Sequence, residues 1–394
     1  MTKPDIFAIL ITVTKVYKFL EIVMETVIKK IDASRMTSGD FSEAVRLLKE
    51  GKLVAFPTET VYGLGGNAYD RTASQRIYAA KGRPSDNPLI VHISCFKELE
   101  PLVSEIPETA RKLADKFWPG PMTLIFNKSD IIPKETTGGL DTVAIRMPSH
   151  PIANRLIKEA GIPIAAPSAN ASGRPSTTRA EHVIEDLSGR IDMIIDGGSS
   201  DIGLESTIVD LTVTPALILR PGYITLEMLK TVIPDIEYDK AVLKRMKDDS
   251  IVAKAPGMKY RHYAPKGELT IYEGTPEKTG QAIFSIAKEK LEKGFKVGIL
   301  TSNELAANYT ALGKEYEAGT PDGSCAKNEC LLYIRDIGSR ENEAEIAAGL
   351  FDALRSFDEI GADFIYAEAF SEGGLGQAIM NRLMKAAGYH IINV

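Results

Sequence analysis

The sequence predicts two α/β units, a twisted mixed sheet with helices over residues 36–240 and a smaller parallel-sheet unit over 267–394. Three observations predict them. In the first unit apolar runs and amphipathic stretches alternate irregularly, which argues for a mixed sheet rather than a strictly doubly wound one. Beyond Gly267 strand and helix patterns alternate one for one, the βαβ logic of a small Rossmann-like parallel sheet. Between them, residues 241–266 have no period and are rich in charge and turn residues, as a linker would be. A chain of 394 residues also exceeds one ordinary core, so two domains fit its size.

Residues 1–35 read as an N-terminal extension, with the working protein beginning near Met24 or Met36. The apolar run Ile6–Val13 is too short to span a bilayer, and Lys15, Lys18, Glu21 and Glu25 after it do not suit an export signal. Asp40-Phe41-Ser42-Glu43 reads as a capping box opening a helix with apolar Phe41, Ala44, Val45, Leu47 and Leu48. Gly51 ends that helix, and a strand follows over Lys52–Phe56. Next come a helix over 72–81, a strand over 88–93 and a helix near 108–117. Further strands are expected at 122–127, 142–147, 193–195, 207–211 and 216–219, and further helices near 150–160, 179–187 and 225–233. The second unit is expected to hold strands at 269–272, 296–300 and 364–367, with helices at 280–292, 342–354 and 376–387.

Composition is that of a soluble globular chain, 44% hydrophobic and 25% charged. A formal charge of −6 argues against a general nucleic-acid coat but leaves room for a local cationic pocket. Cys95, Cys325 and Cys330 build no disulfide framework and supply too few thiolates for a structural zinc. The histidines (His92, His150, His182, His262, His390) are dispersed without metal-ligand spacing. A reduced, cytoplasmic protein with no membrane association and no protein-bound metal is expected.

The most informative stretch is Phe56 to Gly65. An apolar strand runs into Pro57, hydroxyls at Thr58 and Thr60, the carboxylate of Glu59 and a cluster of glycines (Gly63, Gly65, Gly66). Proline ends the ladder, and glycine lets backbone approach a ligand closely. Gly63 to Ala68 matches the dinucleotide pattern G-x-G-x-x-A, but its distance from the strand and the missing helix argue against such a site, so the glycines read as pocket wall. Lys81-Gly82-Arg83-Pro84 places two cations at a broken helix end, which suits a polyphosphate and equally complements a helix dipole. Asn87 and His92 follow. In Thr142-Val-Ala-Ile-Arg146 the alternation puts Thr142, Ala144 and Arg146 on one face, and an inward arginine there needs a partner, either a ligand carboxylate or an internal Asp or Glu. Pro167-Ser168-Ala169-Asn170 offers hydroxyl, amide and open backbone after another apolar strand. Glu205-Ser206-Thr207 precedes a strand, and Leu219-Arg220-Pro221-Gly222 ends one. There is no Walker A sequence, so a nucleotide would need another architecture.

Taken in order, PTETVYGLG, KGRPSDNPL, AIRMP, PSAN, STIVD and ILRPG resemble the YrdC-like family. The linker PGMKYRHYAP and the Rossmann-like tail resemble its two-domain members, the threonylcarbamoyl-AMP synthases, over residues 36–394. The resemblance implies a YrdC-like domain that condenses L-threonine, bicarbonate (as CO2) and ATP, with Mg²⁺, into threonylcarbamoyladenylate and pyrophosphate. A separate tRNA threonylcarbamoyl transferase complex would take up the product, and direct tRNA contact would not be required. Motif by motif it implies threonine contacts at Thr60, His92, Arg146, Ala166 and Ser206. It implies nucleotide contacts at Arg83, Asn87, Thr142, Ser168, Ser176 and Arg220, with Lys81 and Asn170 assisting. Lys81, Arg83 and Arg220 would neutralise phosphate charge, and Tyr260 and His262 would close over the ATP. Two other classes remain as alternatives, a non-catalytic RNA-binding module and a carbamoyl-transferring maturation factor. The charge of −6 and the absence of a base-stacking motif count against the first, and the shortage of cysteines for zinc fingers counts against the second. The second domain could support the linker or dock the transferase.

Overall fold

The computed structural model describes residues 24–243, 256, 262–316 and 330–394. Among them, one large sheet is built from β1 (Val27–Lys30), β2 (Val54–Phe56), β3 (Gly63–Asn67), β4 (Ile90–His92), β5 (Met122–Asn127) and β6 (Thr142–Arg146). It continues with β7 (Ile164–Ala165), β8 (Met193–Asp196), β9 (Thr207–Asp210), β10 (Leu217–Arg220) and β11 (Glu237–Tyr238). The order β1-β8-β2-β3-β7-β4-β6-β5-β9-β10-β11 mixes parallel and antiparallel neighbours, as the irregular alternation predicts. A second sheet joins β12 (Glu268–Glu273), β13 (Val297–Thr301), β14 (Leu332–Asp336), β15 (Phe364–Glu368) and β16 (Ile391–Asn393). Its order is β14-β13-β15-β12-β16 and every pairing is parallel, so the βαβ reading holds.

Several local expectations are corrected. The segment read as an extension contributes β1, which pairs in parallel with β8, so the large sheet begins before Met36. The capping box lies three residues upstream of the expected one: Asp40 Oδ2 accepts from the backbone and hydroxyl of Thr37, and a 3-10 turn precedes the helix Ser42–Lys49. Strand β3 has no sequence signal, because glycine is a poor strand former. Packing demands it there: a Cβ on Gly65 would stand 2.7 Å from the Phe56 ring and 2.8 Å from Ile164. Cys95 is free and exposed, whereas Cys330 is disulfide-bonded, which departs from a fully reduced chain. No helix of the described residues is long and apolar enough to cross a membrane.

The second domain docks on the first through buried charge as well as apolar surface. Val61 and Leu204 belong to the same buried cluster as Ile346, Phe351 and Ile379 of the second domain. A Cβ on Gly203 would lie 2.5 Å from the backbone of Ala348, so only glycine permits this approach. Arg355, on helix Glu343–Ile360, is almost wholly buried and gives hydrogen bonds to Asp186 (2.8 Å) and to the carbonyl of Pro175 (2.6 Å).

Candidate functional site

Strand register assembles the site. His92 on β4 is opposite Arg146 on β6, and Arg146 is opposite Thr123 on β5. Met122 pairs with Thr207 on β9, which brings Ser206 beside that row. The Thr123 and Ser206 hydroxyls are 2.7 Å apart. Gly63 of β3 bridges to Ser168, bringing the Ser168–Asn170 turn alongside. Residues far apart in sequence thus share one cavity, walled by the first domain and by Pro256, His262 and Tyr263.

Lys81, Arg83, His92, Arg146, Ala166, Ser168, Asn170, Ser176, Ser206, Arg220 and His262 line this cavity. Thr60 is buried directly behind it and accepts a hydrogen bond from Arg146 Nη1 (2.8 Å). Asn87 is held next to the site by Arg83, whose Nη2 donates to its Oδ1 (2.6 Å) and whose Nε donates to its carbonyl (3.2 Å). Thr142 lies at the start of β6, four residues before Arg146, and is not part of the lining. Tyr260 falls outside the described residues.

At one corner the inward arginine finds its partner. Arg146 Nη2 is 2.8 Å from Glu59 Oε1, and both side chains are buried. Alignment is poor: neither carboxylate oxygen of Glu59, nor Nε and Nη2 of Arg146, completes a hydrogen bond among the described residues. Burial is the largest influence and pushes the Glu59 carboxyl up, but the Arg146 guanidinium and the backbone N–H groups of Glu59 and Ser149 together outweigh it and hold the group below the ordinary carboxylate range. An arginine edge left unsaturated in a dry cavity is a ready receiver for a ligand carboxylate. His92 Nδ1 is 3.0 Å from the Ile90 carbonyl. Burial and the neighbouring Arg146 lower its pKa to about 3, so it remains neutral at physiological pH.

The opposite corner gathers cations. Lys81 Nζ donates to the carbonyls of Ser168 and Asn170, so its ammonium organises that turn from behind. Burial, followed by the charge of Arg83, depresses Lys81 well below the usual lysine range. Arg220 gives hydrogen bonds to the Ser206 carbonyl (3.0 Å) and hydroxyl (3.2 Å), and burial lowers it to about 10. Arg220 Nη1 also reaches the Pro256 carbonyl (3.3 Å), and His262 stands in the lining with Nε2 unpartnered among the described residues. Pro256 and His262 therefore wall this corner. Tyr263, which also lines the cavity, turns away into the second domain with its ring 5.1 Å from that of Phe351.

Glu59, Thr123 and Glu205 join the site with no role assigned from the sequence. Glu59 and Glu205 lie inside quoted motifs, and a carboxylate between site residues was the available signal. Glu205 Oε1 accepts from Ser176 Oγ (2.5 Å) and Oε2 from Arg382 Nε (3.0 Å). The described residues hold no cluster of three or more His, Cys, Asp or Glu suited to a metal.

Comparison with known proteins agrees with this geometry. Residues 46–222 match the Sua5/YciO/YrdC family, described as telomere recombination, and residues 224–388 match the threonylcarbamoyl-AMP synthase C-terminal domain. The threonylcarbamoyl-AMP synthase of Pyrococcus abyssi is 50% identical over 351 residues, covering 89% of this chain and 95% of that protein. That of Bacillus subtilis is 49% identical over 352 residues, covering 89% and 94%. A crystal structure of P. abyssi Sua5 complexed with L-threonine superposes with a TM-score of 0.83 at 48% identity, covering 94% of this chain and 100% of that one. The resemblance read from the scattered motifs is thus matched along both domains, and the chain belongs to the threonylcarbamoyl-AMP synthase family.

Proposed function

We propose that this chain joins L-threonine, bicarbonate (as CO2) and ATP into L-threonylcarbamoyladenylate and releases pyrophosphate, the first step of threonylcarbamoyladenosine formation in tRNA. One observation carries the reading: an unsaturated Arg146 edge and a cluster of Arg83, Ser168, Ser176 and Arg220 open into the same cavity. An amino acid and a nucleotide seated there are neighbours.

Arg146 pairs with the threonine carboxylate, while Thr60, Ser206 and the Ala166 carbonyl serve the hydroxyl and ammonium. The threonine amine loses a proton and its nitrogen bonds to the carbon of CO2. A carbamate oxygen then attacks the α-phosphorus, the bond to the bridging oxygen breaks, and pyrophosphate leaves. Neutral His92 orients the amino acid and is too weak a base at about 3 to take that proton efficiently. Arg83 and Arg220 meet the charge that grows on the phosphate oxygens, with Asn87, Asn170 and His262 completing the nucleotide contacts. Thr142 and Tyr260 are proposed as nucleotide contacts on the resemblance alone. Lys81 fixes the turn that presents Ser168. Holding carbamate and ATP side by side supplies about 7–11 kcal/mol through proximity, and His262 and Tyr263 in the cavity wall help keep water from the carbamate.

The lining does not build a magnesium cage, since Glu205 is already engaged by Ser176 and Arg382. Mg²⁺ is proposed to arrive as the counter-ion of ATP, held by phosphates and water. The adenylate passes to a separate tRNA-modifying transferase, and direct tRNA contact by this chain is not required. The test is mass detection of the adenylate after mixing the purified chain with ATP, threonine and bicarbonate. Arg83→Ala is expected to abolish it while the thermal transition persists; full activity in that variant would remove Arg83 from the site. Steep salt-dependent binding of bare tRNA with no adenylate formed would favour the RNA-binding alternative.

A further inference from the structure

Helix Gly376–Ala386 of the second domain sends Arg382 into the wall of the first, and Lys385 of the same helix adds a buried cation near Arg220, Glu205 and His262. The Arg382 side chain is fully buried, and its guanidinium spends its bonds across the domain boundary. Nε donates to Glu205 Oε2 (3.0 Å), Nη2 to the Glu205 carbonyl (3.2 Å) and Nη1 to the Pro221 carbonyl (2.6 Å). Those two carbonyls flank site residues: Glu205 precedes Ser206, and Pro221 follows Arg220. The rigid guanidinium fork therefore sets the spacing between the start of β9 and the end of β10.

Charge makes the contact more than a brace. Glu205 is a carboxylate in the lining of a cavity read as a polyphosphate site. Left alone, it would repel the phosphates and would draw Arg220 away from them. Arg382 neutralises it from the side remote from the ligand. Glu205 can then use its other oxygen to orient the Ser176 hydroxyl. The Arg382 and Arg220 charges, set against burial, hold the Glu205 carboxyl ionised.

We propose that Arg382 is a positioning residue of the second domain that neutralises Glu205 and so shapes the nucleotide corner, acting through Glu205, Ser176 and Arg220. The inference rests on the reading of that corner as the ATP site. It gives the second domain a larger part in nucleotide affinity than in threonine affinity, since Arg382 reaches the threonine contact Ser206 only through the preceding Glu205 carbonyl.

The test is steady-state adenylate formation by the full chain, with KM for ATP and for threonine measured separately. Arg382→Gln is expected to raise the ATP KM at least tenfold and to leave the threonine KM within twofold. Adding Glu205→Gln to Arg382→Gln is expected to recover part of the ATP KM, because it removes the exposed carboxylate. A purely structural ion pair would make the second substitution neutral or worse. Asp352→Asn is the control: Asp352 pairs with Arg179 across the same domain boundary (2.6 Å) outside the cavity lining, and both KM values should hold. If Arg382→Gln does not fold, Arg382→Lys, which keeps the charge but loses the fork, should show the same direction of change at a smaller size, an ATP KM raised about threefold with the threonine KM within twofold. The proposal is overturned if the folded variants keep the wild-type ATP KM, if both KM values rise together, or if Glu205→Gln deepens the defect. Failure of the wild-type chain to form any adenylate would instead overturn the functional reading.

Discussion

Each domain sets an arginine against a buried glutamate, and they finish the job differently. In the second domain Glu368, fully buried, accepts from Thr301 Oγ1, the Ser302 backbone and Arg340, whose guanidinium also reaches the Ala369 carbonyl (2.9 Å). That carboxylate is saturated. In the first domain Glu59 and Arg146 come within 2.8 Å but are poorly aligned, and Arg146 Nε has no partner among the described residues. Leaving buried polar groups unsatisfied costs stability, typically about 1–3 kcal/mol each. The saturated pair behaves as structure. The unsaturated pair is where a ligand recovers the missing bonds.

The comparison breaks most readily at Arg146. Arg146→Ala removes the fixed cation and leaves Glu59 buried alone; kcat/KM for threonine is expected to fall on the order of 10²–10³-fold. A loss below about fivefold in steady-state assays would deny Arg146 the carboxylate. The matching change in the other domain should act on stability instead. Arg340→Ala leaves Glu368 without its counter-charge and should cost about 3 kcal/mol in denaturant unfolding, with both KM values within twofold of wild type. A selective rise in either KM would mean that the second pair is not merely structural. Glu59→Gln sharpens the contrast with a smaller effect. It strips the partner from Arg146 in the free protein, so threonine should raise the melting temperature more in the variant than in wild type. An equal shift would show that Glu59 does not compete with the ligand for Arg146.

How much of this was legible in the sequence depended on whether a pattern was local. The alternating second domain could be read because each βαβ unit carries its own period, apart from β14 and β16. Strand β3 could not, since its glycines are chosen for the close approach of Phe56 and Ile164, residues distant in sequence. Site motifs stood out where glycine, proline and hydroxyls interrupt apolar runs, and most of the residues they marked reach one cavity. Glu59 and Glu205 stayed hidden because their partners come from other strands or the other domain. Arg382 had a faint signal. It follows Ile379 by three residues and so falls on the apolar face of its helix, where an unpaired arginine would be out of place.

The smallest expected effect separates the site from the frame by pH. His92 and His262 both line the cavity, and burial takes each from 6.5 to about 3. In the unfolded chain both regain ordinary values, so between about pH 6.5 and 3 the unfolded state binds more protons. Their contribution to stability is therefore complete above pH 6.5 and is lost as the pH falls, at up to about 1.4 kcal/mol per pH unit for each histidine. Carboxylates held below 4.5, such as Glu59 and Glu205, add their own loss only under more acid conditions. The interval from pH 6.5 to 5 thus reports chiefly on buried histidines, among which His150 is also lowered by burial. His92→Gln should remove about 1.4 kcal/mol per pH unit from the slope of unfolding free energy in that interval. An unchanged slope would mean that His92 is protonated in the folded chain, and then its neutral role beside Arg146 would have to be abandoned.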